Sequence, residues 1–178
     1  MEERRTLAFD SPIGTLVAEA SGDALTALHI VPCLDSRRAD PMPGRQSAAS
    51  HEAIRKTTQD ECADDLLLDC RQQLEAYFAG RRHAFDLPML PRGSAWQQAV
   101  WRELQTIAYG QTLTYGALAA QLGRPTAARA VARAVASNPL PILIPCHRVV
   151  ASHGLGGYSA GDGLPTKRHL LFLEASNR

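Results

Sequence analysis

The sequence predicts an α+β protein: a small antiparallel-sheet unit followed by a mostly helical unit that contains a helix-turn-helix. Three observations carry this reading. Short apolar segments alternate with turn residues over 6–30, two closely spaced helical patterns fall between Tyr115 and Ser137, and the charge reverses near the middle of the chain. With 178 residues, 45% of them hydrophobic, the chain can bury one large core or two small ones.

Thr6–Phe9, Gly14–Ala20 and Ala24–Ile30 are expected as short strands, joined by turns at Ser11-Pro12-Ile13-Gly14 and Ser21-Gly22-Asp23. Residues 32–51 carry four Pro or Gly and many small polar side chains, and a loop-rich stretch is expected over 31–60. A helix follows from about Asp64 to Phe78, with Leu67, Cys70, Leu74 and Tyr77/Phe78 at helical spacing and Gly80 as its stop. Phe85-Asp86-Leu87-Pro88 has an extended pattern. Pro91-Arg92-Gly93 then marks the boundary between a first unit, 1–91, and a second, 92–178.

The second unit opens on Ser94, a good N-cap, and a helix to about Ile107 whose Val100, Leu104 and Ile107 share one face. Tyr109-Gly110 ends it. Thr114 caps a short helix, Tyr115–Leu122, which Gly123 terminates, and another covers about Ala127–Ser137. Two short helices joined by a tight Gly-containing turn form a helix-turn-helix pattern, although two packed core helices would give the same signal. In the second helix Ala128, Val131 and Val135 would face the core, while Arg129 and Arg133 share another face. The remainder is largely alanine. Such a helix can come close to DNA but offers few side chains able to read bases, so any DNA binding should show little sequence preference.

The net charge of +1 does not suggest a polyanion partner, but its distribution does. Residues 1–91 carry 10 Lys/Arg and 15 Asp/Glu, whereas 92–178 carry 9 and 3. Only the second unit would meet nucleic acid. The start, MEERRTLAFD, is not a secretory signal, and no apolar run is long enough for a bilayer, so a cytoplasmic, membrane-independent protein is expected. The four cysteines, Cys33, Cys62, Cys70 and Cys146, show neither CxxC pairing nor a zinc-ribbon spacing; no metal site is expected, His29 and Cys33 included.

Chemistry concentrates in Asn138-Pro139-Leu140-Pro141-Ile142-Leu143-Ile144-Pro145-Cys146-His147-Arg148. An apolar, extended run sets a cysteine directly before a histidine. A thiol is strongly nucleophilic only as thiolate, and its ordinary pKa of about 8.5 must be countered by a base or a positive field, which His147 and Arg148 could supply. Adjacent side chains of an extended segment point to opposite sides, so His147 would need a turn or a bridging water to reach the sulfur. A buried cysteine beside a solvent-facing histidine would have the same spacing.

PCHRVV, preceded by Asn138 and Arg129, closely resembles the active-site signature of the O6-alkylguanine-DNA alkyltransferases. The resemblance extends to SPIGTL, YFAGRRHAFDLP, WQQAVWRELQTIAYGQTLTYGALA and GGYSAG…KRHLLFLE, covering nearly the whole chain outside about 31–60. It implies a ribonuclease-H-like first domain and repair of double-stranded DNA by a monomer. An alkyl group would pass from O6-alkylguanine, with O4-alkylthymine a further candidate, to Cys146 in one turnover without a cofactor. It further implies that His147 acts through water as base, that Glu174 orients His147, and that Asn138 shapes the turn beside the cysteine. Arg129 would fill the gap left by a base flipped through the minor groove. Tyr115 would assist flipping and donate to guanine, Tyr158 and Ser159 would form a lid with Ser159 near the guanine oxygen, and backbone around Val149 would accept from the exocyclic amine. The zinc ligands of some relatives are absent here, and His169 stands where the family pattern has a tryptophan.

The chemistry also requires Cys146 to be exposed to the incoming base. Three other readings compete: a non-catalytic alkylguanine sensor, a Cys-His hydrolase and a transcription factor. Sensors that resemble the family lack the acceptor cysteine, no oxyanion-hole motif accompanies Cys146, and the alanine-rich helix is poorly equipped for base readout.

Overall fold

The computed structural model describes residues 4–32 and 64–177. Three antiparallel strands, β1 (Arg4–Ser11), β2 (Gly14–Ser21) and β3 (Ala24–Val31), form a sheet in the order β1-β2-β3. Its register pairs Phe9 with Leu16 and Ala18 with Leu28, so the side chains of one face, including Leu16, Ala18, Leu28 and Ile30, are buried. The first strand runs two residues beyond each expected end, and the other two run one residue further at their C-terminal ends. Apart from Val31 and Pro32, the expected loop-rich stretch 31–60 lies outside the described residues, as do Cys33 and Cys62.

Helix α1 (Asp65–Phe78) packs on the sheet; the Asp64 side chain caps it, accepting from Leu66 N, and Leu67, Cys70, Leu74 and Tyr77 form its buried stripe. The outer edge of β3 is covered. Leu25 exchanges backbone bonds with Pro88 and Leu90, and Leu28 N donates to Pro139 O at 2.8 Å. The last of these ties the sheet to the segment that leads to Cys146. The core continues unbroken from the sheet to the second unit through Val100, Trp101, Leu118, Leu140 and Leu170.

Ser94 caps α2 (Ala95–Leu104) with a full capping box in which Gln97 returns the bond. The helix ends at Leu104, short of the expected Ile107, and continues as turns closed by bonds such as Ile107 N to Leu104 O. A two-residue strand, β4 (Leu113–Thr114), precedes α3 (Tyr115–Gln121), which Thr114 caps. Gly123, at φ +71°, makes the left-handed turn that a side-chain-bearing residue would resist. Helix α4 (Ala128–Ala136) then packs against α3 and α2, held by Trp101 Nε1 donating to Ala134 O at 2.8 Å. Val131, Ala134 and Val135 are buried and Ala128 is half-buried, while Arg129 and Arg133 are exposed. The chain closes with β5 (Val149–Val150), parallel to β4, and α5 (Leu164–Ser176). Among the described residues no helix is long and apolar enough to cross a membrane.

Candidate active site

The segment before Cys146 is not the extended run its composition suggests. Asn138 folds it back: its Oδ1 accepts from Leu140 N at 3.0 Å and its Nδ2 donates to Ile144 O at 2.8 Å. Ile144 N closes the turn onto Leu140 O, and Ile142 sits at φ +73°, a region that β-branched residues seldom occupy. Local preference loses to burial here, because Leu140, Ile142, Leu143 and Ile144 are all in the core. Cys146-His147-Arg148 then forms one 3₁₀ turn, with Arg148 N donating to Pro145 O.

His147 is fully buried, and its Nε2 lies 2.8 Å from Glu174 Oε1. Glu174, also fully buried, receives the Tyr77 hydroxyl (2.9 Å), Gly110 N (2.9 Å) and the Arg148 guanidinium (Nε 3.0 Å, NH2 2.9 Å). Burial would raise its carboxyl pKa, but the hydrogen bonds and charges of His147 and Arg148 hold it well below the usual carboxylate range. An ionised Glu174 fixes the proton of a neutral histidine on Nε2. Burial lowers the His147 pKa, so the imidazole is neutral, and its Nδ1 is buried without a hydrogen-bond partner. A free lone pair on Nδ1 is what a base acting through water requires. The expectation that Arg148 would supply positive field to the thiol fails: its guanidinium is spent on Glu174 and, at 2.6 Å, on Ile107 O.

The thiol is also less open than expected. Cys146 is only 5% exposed, and burial pushes its pKa up; Asn138, Tyr158 and the Lys167 charge pull the other way without winning. The partly buried Tyr158 places its hydroxyl near enough to feel the sulfur, and that oxygen has no conventional hydrogen-bond partner. Tyr115, half-buried on α3, also senses Cys146 and reaches Gly157 O at 3.4 Å. Its ring packs so closely on Gly156 that a Cβ there would fall 2.9 Å from Tyr115 Cε2. Ser159 is exposed and donates to Ala136 O at 3.0 Å, tying its segment to the end of α4. Val149 is buried, and its carbonyl already accepts from Lys167 Nζ at 2.6 Å.

Cys146, His147, Glu174, Asn138, Tyr158 and Tyr115 are thus brought together, with Val149 and Ser159 at the margin. Arg129 stands apart on the exposed face of α4, and His169 is exposed on α5. Two participants escaped the sequence reading. Lys167 is fully buried, and its Nζ binds the carbonyls of Val149, Leu155 and Gly157, closing the loop between the cysteine turn and Tyr158. Its signal was position, since Lys167, Leu170 and Glu174 share the buried stripe of α5. Tyr77 was read as core alone, and nothing local to α1 announces a partner 97 residues away.

A family model described as "6-O-methylguanine DNA methyltransferase, ribonuclease-like domain" matches residues 5–91, and its companion "DNA binding domain" matches 95–176. The chain belongs to the O6-methylguanine-DNA methyltransferase family. Among relatives, the methylated-DNA–protein-cysteine methyltransferase of Mycobacterium bovis is 41% identical over 172 residues, covering 94% of this chain and 90% of that one. The constitutive enzyme of that name from Bacillus subtilis is 36% identical over 166 residues, covering 93% and 92%. The crystal structure of the Mycobacterium tuberculosis O6-methylguanine methyltransferase matches with a TM-score of 0.76 and 37% identity, covering 99% of this chain and 95% of that one. A second structure of the protein from that organism, in complex with DNA, gives 0.74 and 38%, covering 98% and 93%. The α+β architecture and its helix-turn-helix are those of this family.

Proposed function

We propose that the protein repairs alkylated double-stranded DNA by moving an alkyl group from O6 of guanine to Sγ of Cys146, once per molecule. The observation that carries this reading is a buried thiol directly followed in the chain by a histidine whose Nε2 is anchored on an ionised Glu174 and whose Nδ1 is unengaged. In the step, Sγ bonds to the alkyl carbon while the carbon–O6 bond breaks and its electron pair passes to the guanine. The thiol proton leaves through water to His147 Nδ1, and the departing guanine takes up one proton, so no co-reactant is consumed. Because the resting thiol is neutral, proton removal and attack are coupled, and the excluded water strengthens every dipole aimed at the leaving guanine.

The substrate atom lies inside a base pair and must be flipped out, which costs a few kcal/mol and is easiest for a poorly paired base. Arg129 on the exposed face of α4 is suited to fill the gap from the minor groove. Tyr115 and the Tyr158–Ser159 lid would bracket the base. Ser159 would first have to release Ala136 O, and the Val149 carbonyl would accept a guanine amine with its second lone pair, the first being held by Lys167. Asn138 would hold the turn and support the thiolate as it forms. Residues 92–178 would bind DNA and carry the reacting atoms, with 1–91 as their support, in a monomer working in the cytoplasm or on nucleoid DNA. O6-alkylguanine is the favoured lesion, with O4-alkylthymine second.

The test is incubation with a duplex containing O6-methylguanine, followed by peptide mass analysis. One methyl mass is expected on the Cys146 peptide. Unmodified Cys146 after complete lesion binding would falsify transfer and leave an alkylguanine sensor.

A further inference from the structure

The first unit contributes an atom to the catalytic network. Tyr77, fully buried on α1, donates its hydroxyl to Glu174 Oε1 at 2.9 Å, the same oxygen that His147 Nε2 meets at 2.8 Å. Its ring is fixed by Phe78, Phe85 and Tyr109, with centroids 5.4, 5.5 and 6.0 Å away, so the hydroxyl has little freedom to turn elsewhere. We infer that Tyr77 is a positioning residue for alkyl transfer: by sharing Glu174 Oε1 with His147, its hydroxyl sets how strongly the carboxylate holds the histidine and therefore how basic Nδ1 is. The inference rests on the reading of His147 as the base.

The direction follows from charge. Each hydrogen bond donated to a carboxylate disperses its negative charge and makes it a weaker acceptor for its remaining partners. With Tyr77 in place, Glu174 stabilises an imidazolium less than it otherwise would. Around this pair stand Arg148 and Cys146 from the 3₁₀ turn, Tyr109 from the segment after α2, Lys167 from α5 and Tyr158 from the lid. The Arg148 and Lys167 charges oppose protonation of His147, and Glu174 favours it. Tyr77 is the member of the set that reaches the carboxylate from the sheet unit, which gives that unit a part in the chemistry beyond support.

Tyr77→Phe removes the hydroxyl and keeps the ring packing. Site-specific 3-fluorotyrosine at position 77 keeps both and makes the hydroxyl a stronger donor, so a folding defect in the first variant does not end the test. Two readouts on the full-length protein are needed. In proton NMR, the His147 Nε2–H resonance should move downfield in Tyr77→Phe, as its bond to Glu174 strengthens, and upfield with fluorotyrosine. In single-turnover transfer from an O6-methylguanine duplex, the ascending limb of rate against pH should move up by about half a unit in Tyr77→Phe and down with fluorotyrosine. Movement of both readouts in these directions supports the inference. An unmoved resonance overturns it, as does a rate lowered by one factor at every pH with its midpoint unchanged. Failure of the unaltered protein to transfer would instead strike the proposed function, since the resonance reports on Tyr77 without any reaction.

Discussion

Glutamate 174 offers a sharp test because its carboxylate is fully buried and almost every partner is a donor. In Glu174→Gln one oxygen becomes an NH2 that must face either Tyr77, His147 and Arg148 or Gly110 and Arg148. At least one donor pair then confronts another donor, and the 6%-exposed Arg148 loses its counter-charge. Removing one partner of a buried ion pair costs about 3–5 kcal/mol, equivalent to a fall in Tm of roughly 10 °C for a chain of this size. Because the folded carboxyl is held below the ordinary glutamate value of 4.5, its stabilisation is complete above that pH and is lost as pH falls through the folded value. Denaturant titration at pH 7 and again below pH 4 should therefore show a large gap between wild type and variant that narrows in acid. A gap under about 1 kcal/mol at pH 7, or one that persists unchanged in acid, would refute the network as described. Transfer should slow as well, since a loosened imidazole is a poorer base.

Other perturbations address separate parts of the site. Arg129→Ala should weaken repair in duplex DNA at least about tenfold more than reaction with a free alkylguanine analogue, since only the former needs the gap filled; equal losses in single-turnover assays would remove that role. Lys167→Met strands the carbonyls of Val149, Leu155 and Gly157 and should cost about 3 kcal/mol in denaturant titration. With the Lys167 charge gone the Cys146 thiol should titrate higher, and a spectroscopic thiolate titration that stays in place would show the charge to be irrelevant. Burial raises the Cys70 thiol from 9.0 to about 12, so the folded state keeps a proton that the unfolded chain gives up above pH 9. Stability should fall there by about 1.4 kcal/mol per pH unit from this group, and Cys70→Ala should flatten that slope in alkaline unfolding measurements.

The elements were legible where a local cause acts. The turns at Ser11–Gly14 and Ser21–Asp23, the caps Ser94 and Thr114, and Gly123 between α3 and α4 all stop or start structure through their own local chemistry. The end of α2 was misplaced by three residues because Ile107 keeps helical spacing while its carbonyl is given to Arg148, a partner outside the helix. The cysteine segment was misread as extended for a related reason. Its apolar composition suits a strand, but the Asn138 side chain supplies bonds that fold it into a turn, and Ile142 follows into a left-handed conformation. Cys146, His147, Glu174 and Asn138 could be named from motif, yet the covering of the thiol and the diversion of Arg148 depend on residues distant in sequence.

The bond from Leu28 N to Pro139 O makes the open side of β3 a seat for the backbone that precedes the nucleophile. Severing the polypeptide near Arg92 would strand both pieces: one with the β3 edge uncovered at Leu28 though still paired at Leu25, the other with every reacting atom but an unbraced hinge at Asn138. Thermal unfolding of the intact protein should accordingly be a single cooperative event, with neither half persisting once the other has melted.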